Sequence, residues 1–243
     1  MNKQILKLQS HTDHLLSCLL GLKEKFAFLR PMLFDEETVQ QYGNGDRFRG
    51  FESIKYSLFY GCAQDLARMT LDTTERTPSI AGIIASLQAN PHLLRELRIM
   101  YSEWGYGVPV NDSGDEEIKA ALEQLHEREK EKRRQKFDAM CNELNTAWEA
   151  FKAKPSTKAF RIIRDRLTAH LELRRGEDGV YRPIDIATLG LTWGDLGESI
   201  RDVDKMVELL NAIVRNAGFV MEEFDEKLDE AVKGFWKTSS PAQ

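Results

Sequence analysis

Apolar residues recur at three- and four-residue steps along almost the whole chain, a rhythm that restricts it to packed helices. Ile5, Leu8, Leu15, Leu16, Leu19, Leu22, Phe26 and Leu29 mark a first helix, which Pro31 is expected to stop or kink. Tyr42 to Asp46 (YGNGD) reads as the first loop. From Phe51 the stripe resumes with Ile54, Leu58, Cys62, Leu66 and Met69. Pro78-Ser79 opens a short helix through Leu87, and Pro91 opens another through Trp104. Gly105 to Gly114 is a second loop and the best candidate for an internal break. Only seven prolines and sixteen glycines interrupt the chain, so long helices are permitted.

The longest predicted helix runs from about Asp115 to Ala153. Ile118, Leu122 and Leu125 lie toward one end, and Phe137, Met140, Cys141, Leu144 and Trp148 form a stripe toward the other. No apolar residue lies between His126 and Lys136, so that stretch is expected to project past the core or lie exposed on it. Pro155-Ser156-Thr157 is a start signal with the N-cap at Ser156 or Thr157, and Phe160, Ile163, Leu167 and Leu171 follow. Arg174 to Pro183 is a polar turn compatible with a small hairpin around Asp178-Gly179. Thr192, with Asp195 three residues on, resembles a capped start of one last long helix reaching Phe235. There is no internal repeat. The fold class is all-α, an elaborated up-and-down helical bundle.

Composition narrows the function classes. A net charge of −5 argues against a protein that coats nucleic acid generally, and leaves room for a local basic patch. The three cysteines, Cys18, Cys62 and Cys141, are odd in number and far apart, which fits a reducing compartment rather than a disulfide framework. Met1 to Ser10 lacks the apolar block of a signal peptide. Leu15 to Leu22 is much shorter than the about 20 residues a membrane span needs. The expectation is a soluble, cytoplasmic protein without membrane attachment.

Two constellations suggest metals and fall short. His11, His14 and Cys18 share a helix face but lack a fourth ligand for zinc, and Cys18 falls in the apolar stripe. Glu123-x-x-His126 matches one element of di-iron bundles, whose chemistry requires a second copy that is missing here. Glu127 to Arg134 is eight consecutive charges, and Arg128 to Lys136 holds six basic residues. Such a run is either a solvated helix laced with ion pairs or a stripe tracking phosphates.

The informative segment is Arg161 to His170 (RIIRDRLTAH). Cleaving a phosphodiester without metal needs one group to deprotonate the ribose 2′-hydroxyl and another to protonate the leaving 5′-oxygen. It also needs a cation over the phosphate. Histidine titrates near neutrality and serves either proton step, and arginine offers a permanently charged fork. On an ideal helix Arg164 and His170 sit roughly 240° apart around the axis and about 9 Å apart along it, whereas Arg166 and His170 share a face. One histidine must also serve two proton steps. Both difficulties ease if two copies meet across a two-fold axis.

Arg164-Asp165-Arg166-Leu167-Thr168-Ala169-His170 resembles the Arg-polar-x(3–5)-His signature of HEPN domains, with the Ala-His ending common in abortive-infection (AbiU-type) members. Asp65-Leu66-Ala67-Arg68, Ser79-Ile80-x-x-Ile83 and Thr192-Trp193-x-Asp195-Leu196 are similar too, so the resemblance spans about residues 51 to 231. It implies an HEPN-like all-α dimer acting as a metal-independent endoribonuclease of phage-defence or toxin–antitoxin type. His170 would be the acid/base residue and Arg164 the phosphate-binding group, with Arg161, Asp165 and Arg166 as RNA-binding neighbours. Asp165 fills a slot where the family often carries Asn. No cofactor or metal is implied. The partners implied are RNA, a second copy of the chain, and an antitoxin or regulatory protein. The competing expectation is a non-catalytic helical protein that binds a protein or nucleotide in the same groove. In either case residues 1–243 form a single helical domain: 1–50 as N-terminal helix and loop, 51–236 as HEPN-like core, 237–243 as tail.

Overall fold

The computed structural model describes residues 2–74, 76–103, 116–168, 173–175, 181–183 and 186–236. The first helix, α1 (Lys3–Phe34), is the spine of the molecule, lying against α3 (Phe48–Leu71), α8 (Trp193–Leu210) and α9 (Met221–Trp236). Ile5, Leu8, Leu15, Leu19, Leu22 and Leu29 are all buried along it, so the stripe read from the sequence is its core face. They meet Phe59, Cys62 and Leu66 of α3 and Val203, Met206, Val207 and Leu210 of α8 in one cluster. α1 and α8 approach closely at Gly197, where a Cβ would come within 3.1 Å of the Phe26 ring. Charge supports the same packing: the Lys23 ammonium reaches Asp204 of α8 at 2.6 Å and Asp225 of α9 at 2.9 Å.

Several predicted boundaries move. Pro31 neither stops nor breaks α1, which continues to Phe34. Proline forfeits one hydrogen bond, and so near a helix end few bonds remain to lose. Asp35 then caps a short helix, α2 (Glu36–Tyr42), that the apolar pattern did not announce. Phe51 at the start of α3 is buried but Ile54 is exposed, so the buried stripe is interrupted before Phe59 and Cys62. The helix after Pro78 is α4 (Ile80–Ala89), capped by Ser79, and α5 (Pro91–Glu103) follows it. The Gly105–Gly114 loop lies outside the described residues.

The long helix α6 (Glu116–Ala153) comes close to its predicted span. Phe137, Met140, Leu144, Trp148 and Phe151 bury its second half, whereas Ile118, Leu122 and Leu125 stay exposed at its start. The charged run between them carries ion pairs along the helix and across to α5: Lys130 with Glu103 and Glu127, Lys132 with Glu129, Arg134 with Glu131. Arg133 donates to the Tyr101 carbonyl at 2.8 Å and lies over the Tyr101 ring, tying α6 to α5.

After α6, helix α7 (Pro155–Ile162) starts at Pro155, not at a serine or threonine cap. Proline's fixed φ suits a first helical position. Ser156 and Thr157 are instead buried, and Thr157 donates its hydroxyl to the Phe151 carbonyl at 2.7 Å. Residues 173–175 (β1) and 181–183 (β2) pair antiparallel with Leu173 opposite Pro183, so the expected hairpin adds two short strands to an otherwise all-α fold. The Asp178-Gly179 turn lies outside the described residues. Thr192 and Asp195 form the expected capping box at the start of α8.

The single final helix of the sequence reading is in fact two. α8 relaxes into a π-helical turn, Asn211–Arg215, and ends at Asn216 with φ +51°. Asparagine tolerates that left-handed conformation better than most residues, and the chain turns there before α9. Phe219, expected on the stripe, is exposed at the turn. Among the described residues, no helix is long and apolar enough to cross a membrane.

Candidate functional site

The site forms where the end of α3 meets the segment that follows α7. Phe160 and Ile163 are buried and dock that segment, which passes from α-helix into a π-helical stretch at residues 163–168. A π-helical turn is wider than an α-turn, so the ideal-helix angle between Arg164 and His170 does not carry over. His170 and Ala169 lie outside the described residues.

Arg164, which follows the buried Ile163 anchor, is held from two sides. Its Nε donates to Asp165 Oδ1 and its Nη1 to Asp72 Oδ1, both at 2.6 Å. The hydrogen bond to Asp165 outweighs partial burial and, with the charges of Asp165 and Asp72, raises the Arg164 guanidinium above its ordinary value. It is a permanent cation in a fixed plane. Asp72 is itself fixed: it ends α3, and its carbonyl accepts the Ser79 hydroxyl. Ser79 Oγ in turn accepts the Gly82 N–H at 3.0 Å, capping α4. The structure thus gives Ser79-Ile80-x-x-Ile83 a physical role, with Ser79 bracing the turn and both isoleucines buried.

Of the other predicted residues, Arg161 is exposed on α7, while Asp165 and Arg166 are half-buried beside Arg164. Around Arg164, the carboxylates of Asp72 and Asp165 set the direction of the guanidinium. Asp65 of the second family-like segment serves packing instead, pairing with Lys25 of α1 at 2.5 Å. Among the described residues no group of three or more His, Cys, Asp or Glu side chains could hold a metal ion.

Sequence reading missed Asp72. It stands 92 positions from Arg164, and the only local hint is an acid placed directly after the buried end of the α3 stripe.

These features define a predominantly helical protein that holds Arg164, of an Arg-polar-x(3–5)-His segment, against one carboxylate at the end of α3 and one directly following it in sequence. The HEPN family model described as AbiU2 matches residues 5–235, and the chain belongs to that family. No curated protein and no solved structure matches it.

Proposed function

We propose that this protein is a metal-independent endoribonuclease of phage-defence or toxin–antitoxin type, working as a homodimer. The observation that carries the reading is the Arg164 guanidinium, clamped by Asp72 and Asp165 six positions before His170 in a member of the HEPN AbiU2 family. Two copies of His170, one from each protomer, divide the proton transfers. One removes the ribose 2′-hydroxyl proton as the 2′-oxygen attacks phosphorus. The other protonates the 5′-oxygen as its bond to phosphorus breaks. A 2′,3′-cyclic phosphate and a 5′-hydroxyl result. Arg164 stabilises the charge that builds on the phosphate, with Arg161 and Arg166 holding the strand and Asp165 orienting Arg164. An antitoxin or regulatory protein is the further partner this activity calls for.

The test is cleavage of single-stranded RNA by purified protein, with and without EDTA. Cleavage unchanged by the chelator, abolished in His170→Ala and severely reduced in Arg164→Ala, supports the reading. Activity lost to EDTA and restored by a divalent ion overturns it.

One observation favours a second reading, a non-catalytic helical protein that binds a protein or nucleotide partner: two carboxylates already pair with the arginine meant for phosphate. Under that reading the wild type binds its partner and leaves RNA intact.

A further inference from the structure

The first turns of α6 hold an exposed apolar face. Ile118, Leu122 and Leu125 are 51%, 36% and 55% exposed, and from Glu116 to Leu125 every residue but Lys119 is exposed. The three recur at steps of four and three, which places them on one side of the helix. A helix that only crosses solvent would be polar all round. The spacing is close to symmetric about Leu122, with Ile118 four residues before it and Leu125 three after. A two-fold axis at Leu122 therefore carries the face onto itself.

We propose that this face is a self-association surface, on which a second copy of the chain lays its own α6 antiparallel. Leu122 then meets its counterpart, and Ile118 of each copy lies level with Leu125 of the other. The charges beside the face fit that register. Lys119 and Glu123 flank one side of it, Glu117 and Arg128 the other. Antiparallel pairing about Leu122 brings Lys119 of one copy within about 3 Å, along the axis, of Glu123 of the other, and Glu117 within about 2 Å of Arg128. Each flank thus holds opposite charges, and the two helix dipoles oppose. An RNA strand would call for cations here, whereas the face is aliphatic and bordered by Glu116, Glu117 and Glu123. Two helices crossing over three turns bury less than the about 800 Å² per partner of a stable interface, so the contact is weak alone. From Leu122, α6 runs about 46 Å further to Ala153, and the Arg164 segment follows that end. A two-fold axis at Leu122 is therefore not the one that would join two Arg164 segments. The contact goes beyond the nuclease reading and stands without it; together the two axes would build assemblies larger than a dimer.

The test is disulfide trapping and sedimentation of the full chain. Leu122→Cys is expected to form an intermolecular disulfide under mild oxidation, mapped by peptide mass to position 122 in both copies. An axis at that position brings the two Cα atoms into disulfide range, about 4.4–6.8 Å. Ala120→Cys, on the opposite side of the helix, is expected not to cross-link. Leu122→Lys is expected to weaken concentration-dependent self-association about tenfold or more. Its circular dichroism and urea midpoint should match the wild type, because Leu122 is exposed. Equal cross-linking at positions 120 and 122 overturns the proposal. So does a Leu122→Lys variant that associates as strongly as the wild type, or a wild type that stays monomeric at every concentration. The nuclease reading fails separately, if the Leu122→Cys variant cross-links while the wild type leaves RNA uncut.

Discussion

Arg164 and Asp72 meet at 2.6 Å across 92 residues of chain, joining the segment before His170 to the C-cap of α3. Neither partner is deeply buried: the side chains are 21% and 28% exposed. The pairing therefore does more for the direction of the guanidinium than for the stability of the fold.

Replacing Asp72 tests that division. Asp72→Asn keeps an acceptor and removes the charge, so the arginine is held less firmly and the patch becomes more positive. Single-turnover cleavage is expected to fall by about 10- to 100-fold, the scale of a small misplacement of a catalytic group, while RNA affinity holds or improves. Equal cleavage rates for Asp72→Asn and wild type would remove Asp72 from the site.

Ser79 couples stability to the same geometry. Ser79→Ala removes the α4 cap and the brace on the Asp72 carbonyl, and is expected to destabilise by about 1–2 kcal/mol in urea unfolding while also slowing cleavage. Thr192→Ala removes the capping box of α8, whose partner is Asp195 in the first turn of the same helix. It is expected to cost about 1 kcal/mol and leave the cleavage rate at its wild-type value. Identical effects of the two variants on rate would separate Ser79 from the site.

Lys23 predicts a pH effect. Burial alone would lower its ammonium, but hydrogen bonds and charge from Asp204 and Asp225 outweigh this and raise it above 10.5. A cation whose pKa is higher folded than unfolded contributes its full stability below the unfolded value and loses it as pH climbs through the folded one. Lys23→Met is therefore expected to lose about 3 kcal/mol at pH 7, the scale of stranding one partner of a buried pair, and the wild type is expected to lose the stability linked to the raised Lys23 ammonium as pH climbs above 10.5. Lys23→Met/Asp204→Leu should recover much of the loss, because the stranded carboxylate goes with its partner. Denaturant midpoints of the three proteins check it.

The cysteines are predicted to differ in reactivity. Burial pushes the Cys62 thiol up to about 12 and the Cys141 thiol up to about 11, and raises Cys18 as well. Only the thiolate attacks an alkylating reagent, and at pH 8 about one Cys62 in ten thousand is ionised. Cys62 is fully buried while Cys18 and Cys141 are half-exposed, so iodoacetamide should label Cys62 last, at the rate of unfolding. Peptide mass mapping over time gives the order, and early labelling of Cys62 contradicts the packing of α3 against α1.

How far the site was readable follows from where each group sits. Arg161, Arg164, Asp165 and Arg166 lie within six residues, so their clustering was legible in the sequence alone. Asp72 was invisible because it joins the end of α3 to the segment after α7, and no periodicity links those two segments. The charged run of α6 was ambiguous in sequence. Two of its partners, Glu103 and the Tyr101 carbonyl, are contributed by α5.

The sequence by itself determined the helical class, the buried faces of α1 and α6 and the caps at Ser79 and Thr192. Each is set by side chains a few residues apart, whose periodicity and hydrogen bonding act locally. Only the tertiary structure decided that α1 runs on through Pro31, that the last helix breaks at Asn216, and that Asp72 clamps Arg164. Those outcomes depend on which distant surfaces are pressed together. Burying the shared apolar core of α1, α3 and α8 selects that arrangement, and the polar contacts follow from it.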